Sequence, residues 1–102
     1  MNRFGERIKT LREKSNLLQR QVAAKLDMDT AMLSKVERGE RRAKREQVLM
    51  LAEIFNVNNE ELLSLWLAAK VYDVLKDEDM ASRALKVAEK EVNYNIKTRN
   101  GK

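Results

Sequence analysis

The 102-residue chain contains no cysteine and no histidine. Thiolate nucleophiles, disulfides, thiolate zinc sites and imidazole acid–base pairs are therefore excluded by inventory, and neither a metal nor a cofactor is expected. Proline is missing too and glycine occurs three times, so the residues that punctuate turn-rich and sheet-rich chains are scarce. Strand-like alternation never persists beyond a few residues. Helical apolar spacing is what remains, which makes the chain all-α. Aromatic residues are few in the basic front half, which argues against an RNA reader that stacks unpaired bases. The longest apolar stretch, "LLSLWLAAKVYDVL" at 62–75, is too short to span a bilayer and carries Lys70 and Asp73. "MNRFGERIKTLREK" lacks the apolar core of a signal peptide, so a cytoplasmic protein is expected.

Charge is present and unevenly divided. Residues 1–45 hold 13 Lys/Arg against 6 Asp/Glu, a net of +7, and residues 46–102 hold 8 against 10, a net of −2, which sum to the overall +5. A basic front half suggests a face built for a polyanion, with nucleic acid ahead of an anionic membrane because no segment joins a basic face to exposed large aromatics. The densest part is "VERGERRAKREQ", which places Arg38, Arg41, Arg42, Lys44 and Arg45 within eight positions. Taken alone, such a run is most simply a solvated loop. The acids offer no enzyme: Glu60, Glu61 and the "DED" at 77–79 stand at helix starts, where the helix dipole accounts for them.

The length suits one compact body with a helical extension. A first helix is predicted from residue 2 or 3 to 14, with Phe4, Ile8 and Leu11 on one face and Asn16 as a left-handed stop. A short second helix covers 19–26, with Val22, Ala23 and Leu26 inward. Asp27 and Met28 make a tight turn, and Asp29 caps a third helix over 30–38 whose inward residues are Leu33 and Val36. Gly39 ends it. A fourth helix over 45–55 buries Val48, Leu51, Ala52 and Phe55. Asn58 with Glu61 reads as a capping box opening a fifth helix that continues to Leu75. Asp77 or Asp79 is expected to cap a sixth helix that runs to about Asn95, leaving a frayed tail over 98–102.

Helices two and three, joined by a short turn, have the form of a helix-turn-helix. Locking the pair through Val22, Leu26, Met28, Leu33 and Val36 leaves Thr30, Ala31, Ser34 and Lys35 on the outer face of the third helix, small and polar enough to enter a DNA major groove. Met32 fits either packing or the groove.

"NLLQRQVAAKLDMDTAMLSKVERGERRAKREQVLMLAEIFNV" resembles the helix-turn-helix domain of the XRE family, which includes the lambdoid phage Cro and cI repressors, many antitoxins and restriction-modification controller proteins. The resemblance rests on "LxQxxVAxxL", "SKxERG" and "LAxxxxV" at these spacings and covers about residues 3–65. It implies a five-helix Cro/cI-like domain over 1–65, here with an additional C-terminal helix. It implies that Thr30, Ala31, Ser34 and Lys35 face bases, that Gln19 contacts phosphate and steadies the recognition helix, and that Arg12 and Glu37 form a buried structural ion pair. In that fold the segment after Gly39 follows the DNA backbone, so Arg38, Arg41, Arg42, Lys44 and Arg45 become candidate phosphate contacts. Three positions depart from the family pattern. Leu18 stands where a Ser, Thr or Asn caps the second helix, Asp27 replaces a turn glycine, and Ala43 replaces a proline.

The segment 62–75 is apolar except for Ser64, Lys70 and Asp73, and a helix apolar nearly all round must be covered on more than one side. Residues 66–97 are therefore read as a dimerisation extension, with Trp66, Ala69, Tyr72, Leu85, Ala88 and Val92 as candidate interface residues. Folding of helix six back on helix five within one chain is the alternative. The resulting expectation is a homodimeric regulator bound to a pseudo-palindromic operator in double-stranded DNA, closest to a restriction-modification controller. The competing class is an antitoxin-type interaction module that neutralises a toxin and represses its own operon.

Overall fold

The computed structural model describes residues 2–100. They form six helices and no strand: α1 (Arg3–Lys14), α2 (Gln19–Lys25), α3 (Thr30–Glu37), α4 (Arg45–Phe55), α5 (Asn59–Leu75) and α6 (Ala81–Asn100). The chain divides into two compact units, one ending at Lys70 and one beginning at Val71. The boundary after residue 65 is thus displaced, because Trp66 is a core residue of the first unit, only 5% exposed.

Helices α1 to α4 start where local chemistry directs. Asn2 caps α1 by accepting a hydrogen bond from the Gly5 N–H at 3.1 Å, and Asp29 caps α3 by accepting from the Met32 N–H at 2.7 Å. Leu18 and Lys44 have no capping oxygen. At each, a glutamine three residues on, Gln21 or Gln47, accepts from the backbone N–H of the cap residue, which satisfies one orphan donor in place of the missing cap. The chain turns through left-handed residues at Asn16, Asp27, Asn56 and Gly39 (φ of 57°, 56°, 55° and 78°). Asp27 therefore does adopt the conformation usual for the glycine it replaces, as Asn and Asp can at modest cost.

Three expectations are corrected at later helix starts and ends. The Asn58 side chain accepts from the Glu60 N–H while its backbone carbonyl takes the Glu61 N–H, and the Glu61 carboxylate pairs with Arg7 on α1 instead of reaching back to Asn58, so the full capping box is replaced by a tie between α5 and α1. Helix α6 begins at Ala81, which puts Met80 at the cap position and leaves Asp79 one residue and Asp77 three residues too early to cap it. It then continues to Asn100, so Thr98 to Asn100 are helical rather than frayed. The remaining tail, 101–102, lies outside the described residues.

The core of the first unit draws on all five of its helices. Ile8, Val22, Leu33, Val48, Leu51 and Leu62 are fully buried, flanked by Phe4, Leu11, Ala23, Leu26, Val36, Ala52, Phe55 and Trp66. Each fully buried aliphatic side chain contributes roughly 1.5–3 kcal/mol relative to exposure, so the five helices are held by one shared interior and not by their modest individual lengths. In α6 no residue is buried.

The ends of α1 and α3 approach closely. The Asn2 side chain that caps α1 also donates through Nδ2 to the Glu37 carbonyl at 2.7 Å, closing an orphan acceptor at the end of α3. Both neighbouring glycines are required by this contact. A methyl on Gly5 would collide with the Glu37 carbonyl oxygen and with Asn2, and one on Gly39 would come within 2.7 Å of Asn2 Cγ in a backbone conformation L-residues avoid. Gly5→Ala should therefore lower stability by about 1–3 kcal/mol as the junction is forced apart, measured by urea titration. A midpoint equal to the parent's would show that the junction yields freely.

Candidate nucleic-acid interface

Helix α3 is positioned by one polar cluster. Arg12 on α1 and Glu37 at the end of α3 are 9% and 5% exposed, and the guanidinium meets the carboxylate twice, Nε to Oε2 at 2.7 Å and Nη2 to Oε1 at 3.2 Å. The remaining valences are also used. Arg12 Nη1 donates to the Leu17 carbonyl at 3.0 Å, and Gln19 Nε2 at the start of α2 donates to Glu37 Oε1 at 2.9 Å. The hydrogen bond to Glu37 raises the Arg12 pKa above its ordinary value, against the opposing effect of burial. Three helices are thus fixed to one carboxylate. Gln19, half-buried at the start of α2, thus spends one amide N–H on Glu37 of α3 and acts there as a positioning residue.

The outer face of α3 carries Thr30, Ala31 and Lys35 exposed and Ser34 half-buried, while Leu33 and Val36 are buried on the inner face. Met32 is half-buried. Ser34 is partly engaged, since its hydroxyl oxygen accepts from Arg38 Nη1. Arg38 in turn meets Glu40 through Nε at 3.0 Å and Nη2 at 3.1 Å. That bidentate pair lowers the Glu40 carboxyl below its usual range and raises the Arg38 guanidinium. Arg38 is therefore partnered by an acid two residues away in a pair that stays exposed to solvent. The acid that does this was visible in the run as the only carboxylate between Arg38 and Arg45.

The loop beyond it is organised by a residue assigned elsewhere by sequence reasoning. Ala43 is buried at 4% exposure between the exposed Arg41, Arg42, Lys44 and Arg45. Its carbonyl accepts from the Trp66 indole N–H at 2.8 Å. The Arg45 guanidinium lies over the same ring at 5.3 Å from its centroid, and the Lys70 ammonium at 3.8 Å. Trp66 is thus a buried anchor of the basic loop and not the exposed dimer contact expected of it. The rigidity that a proline at position 43 would have supplied comes instead from a tertiary hydrogen bond. Of the other candidate dimer residues, Ala69 is half-buried and Tyr72, Leu85, Ala88 and Val92 are exposed.

Two helices in this arrangement, an outward small polar face on the second, and a fixed basic loop directly after it make a surface for the edge of a duplex. A family model described as a helix-turn-helix domain matches residues 3–66. The chain belongs to the helix-turn-helix domain family. The match ends at Trp66, so the anchor of the basic loop falls within the domain and the segment after it does not. No curated protein and no solved structure gives a significant match. Membership of the helix-turn-helix domain family implies DNA binding. Among the described residues no acidic cluster could hold a metal ion, and no helix is long and apolar enough to cross a membrane.

Because Glu37 holds α1, α2 and α3 together, its loss should be felt as stability. Glu37→Gln leaves a buried guanidinium without its counter-charge and should cost roughly 3–5 kcal/mol. Glu61→Gln, which breaks the more exposed pair with Arg7, should cost about 0–1 kcal/mol. Thermal melting of the two variants side by side decides it, and equal losses would remove the special status given to the buried pair.

Proposed function

We propose that this helix-turn-helix protein is a cytoplasmic transcriptional regulator of the XRE type that reads double-stranded DNA sequence-specifically and performs no chemistry of its own. The observation that carries the reading is the outward face of α3, held by the Arg12, Glu37 and Gln19 cluster from behind while Thr30, Ala31 and Lys35 stand exposed in front. Lys35 is the residue best suited to donate to guanine O6 or N7, and Thr30 or Ala31 to touch a thymine methyl. Arg41, Arg42, Lys44 and Arg45 supply phosphate contacts, which fix register and affinity without reading bases.

One helix-turn-helix reads too few base pairs to be selective, so the working form is a homodimer on a pseudo-palindromic operator, with its two recognition helices about 34 Å apart. The exposed apolar residues of α6 support that assembly. A controller of a restriction-modification operon is the biological setting this reading favours. Selection of bound sequences from a random duplex pool tests it directly: a two-fold consensus is expected, and recovery of no consensus would overturn sequence-specific readout.

The division of labour gives separate expectations for single residues. Arg41→Ala should weaken binding on specific and random duplexes alike and flatten the log–log salt dependence by about one unit. Lys35→Ala should cost roughly 1–3 kcal/mol on the preferred site and change which sequence wins. An unaltered salt slope in the arginine variant would remove Arg41 from the phosphate contacts.

Glu40→Gln should act in the opposite sense to Arg41→Ala. With the acid gone, Arg38 is released to a phosphate and binding should tighten with a steeper salt slope, read in the same titration. Weaker binding by Glu40→Gln would instead show that the Arg38 and Glu40 pair shapes the loop.

A further inference from the structure

Helix α6 is 20 residues long and has no buried residue. Only Ala81 and Ala84 in it are even half-buried, and since most helical stability in proteins comes from packing of an amphipathic face, α6 gains from a cover. Ala81, Leu85, Ala88, Val92 and Ile96 follow one another at spacings of four, three, four and four and therefore share one stripe. On that stripe Leu85, Val92 and Ile96 are 46%, 53% and 40% exposed. The small Ala88 lies at its centre, where it permits helix axes to approach at the close end of the usual range, about 8 Å.

Charge around α6 is uneven from end to end. Asp77, Glu78 and Asp79 precede the helix, Arg83 and Lys86 stand in its first two turns, Glu89 and Glu91 flank Lys90 near its middle, and Lys97 and Arg99 occupy its last turn. A second copy laid parallel would bring acids onto acids and bases onto bases. Laid antiparallel, it sets each acidic end beside a basic one twice over, and the helix dipoles are opposed favourably as well.

We propose that α6 pairs antiparallel with α6 of a second copy of this chain, about a two-fold axis passing near Ala88. The interface is isologous: Leu85 and Val92 straddle the axis, and Asp77 to Asp79 of each copy face Lys97 and Arg99 of the other. The pairing rests on the homodimer reading above and specifies its partner surface and direction.

The absence of cysteine makes the test direct. Ala81→Cys, Ala88→Cys and Ile96→Cys are each made in the full chain, checked for parental helicity by circular dichroism, and oxidised alone and in the mixture of Ala81→Cys with Ile96→Cys. Sedimentation of the parent and binding to an operator-selected duplex are measured in parallel. The expected result is a dimeric parent, a self-linked Ala88→Cys, little linkage of either end variant alone, and a disulfide between Ala81→Cys and Ile96→Cys in the mixture, since only facing positions meet the short span of a disulfide. Self-linkage of both end variants would make the pairing parallel and overturn the proposal. A dimeric parent with no linkage at any of the three positions would overturn it while leaving the homodimer standing. A monomeric parent would overturn both, whereas loss of sequence-specific binding would bear on the DNA reading alone.

Discussion

One carboxylate, buried where three helices meet, fixes the orientation of everything that faces outward. Glu37 receives Arg12 from α1 and Gln19 from α2 while itself belonging to α3, and its own backbone carbonyl receives Asn2. A charge so placed is a poor contributor to net stability, since dehydration offsets most of the attraction. Its value is geometric. An apolar contact of similar size could slide or rotate, whereas two guanidinium bonds and an amide bond admit one arrangement of the three helix axes. Base recognition depends on hydrogen-bond geometry at the groove, so a rigid rear attachment for α3 is what the proposed reading by its front face requires.

The basic run separates into two electrostatic parts. Arg38 is paired with Glu40 and Ser34 in the open, and Arg41, Lys44 and Arg45 stand exposed around the buried Ala43. The first part stays with the end of the recognition helix and the second belongs to the loop. The local net charge at the start of the run is thus lower than a count of its cations, because Glu40 stands beside Arg38.

Much of the first unit was legible because each of its helices carries its own local signals. Apolar periodicity placed the inward faces of α1 to α4, Asp29 announced the start of α3, and Asn16, Asp27 and Gly39 marked the turns. What escaped were choices between two partners far apart in sequence. Gln19 could point at solvent or at a carboxylate 18 residues on. Trp66 lies on a helix apolar on most sides, so periodicity did not reveal which side the domain would take, and its hydrogen bond crosses 23 residues to Ala43. Gly5 gave no sign of its role, because a close approach between helix ends leaves no local pattern. The end of α6 was set too early because "KTRNGK" lacks apolar residues, although Lys and Arg in a last turn favour its continuation.

The seat of Trp66 has a thermodynamic consequence. Its indole holds the Ala43 carbonyl and lies under Arg45 and Lys70, so whatever draws the loop toward a phosphate also acts on the packing of α5. By linkage, a ligand that favours the seated loop stabilises the domain, and a stabilised domain binds that ligand more tightly by the same factor. Because the chain has a single tryptophan, that coupling resides at its one indole chromophore, the group through which the unlabelled protein would signal any change in the seating of the basic loop.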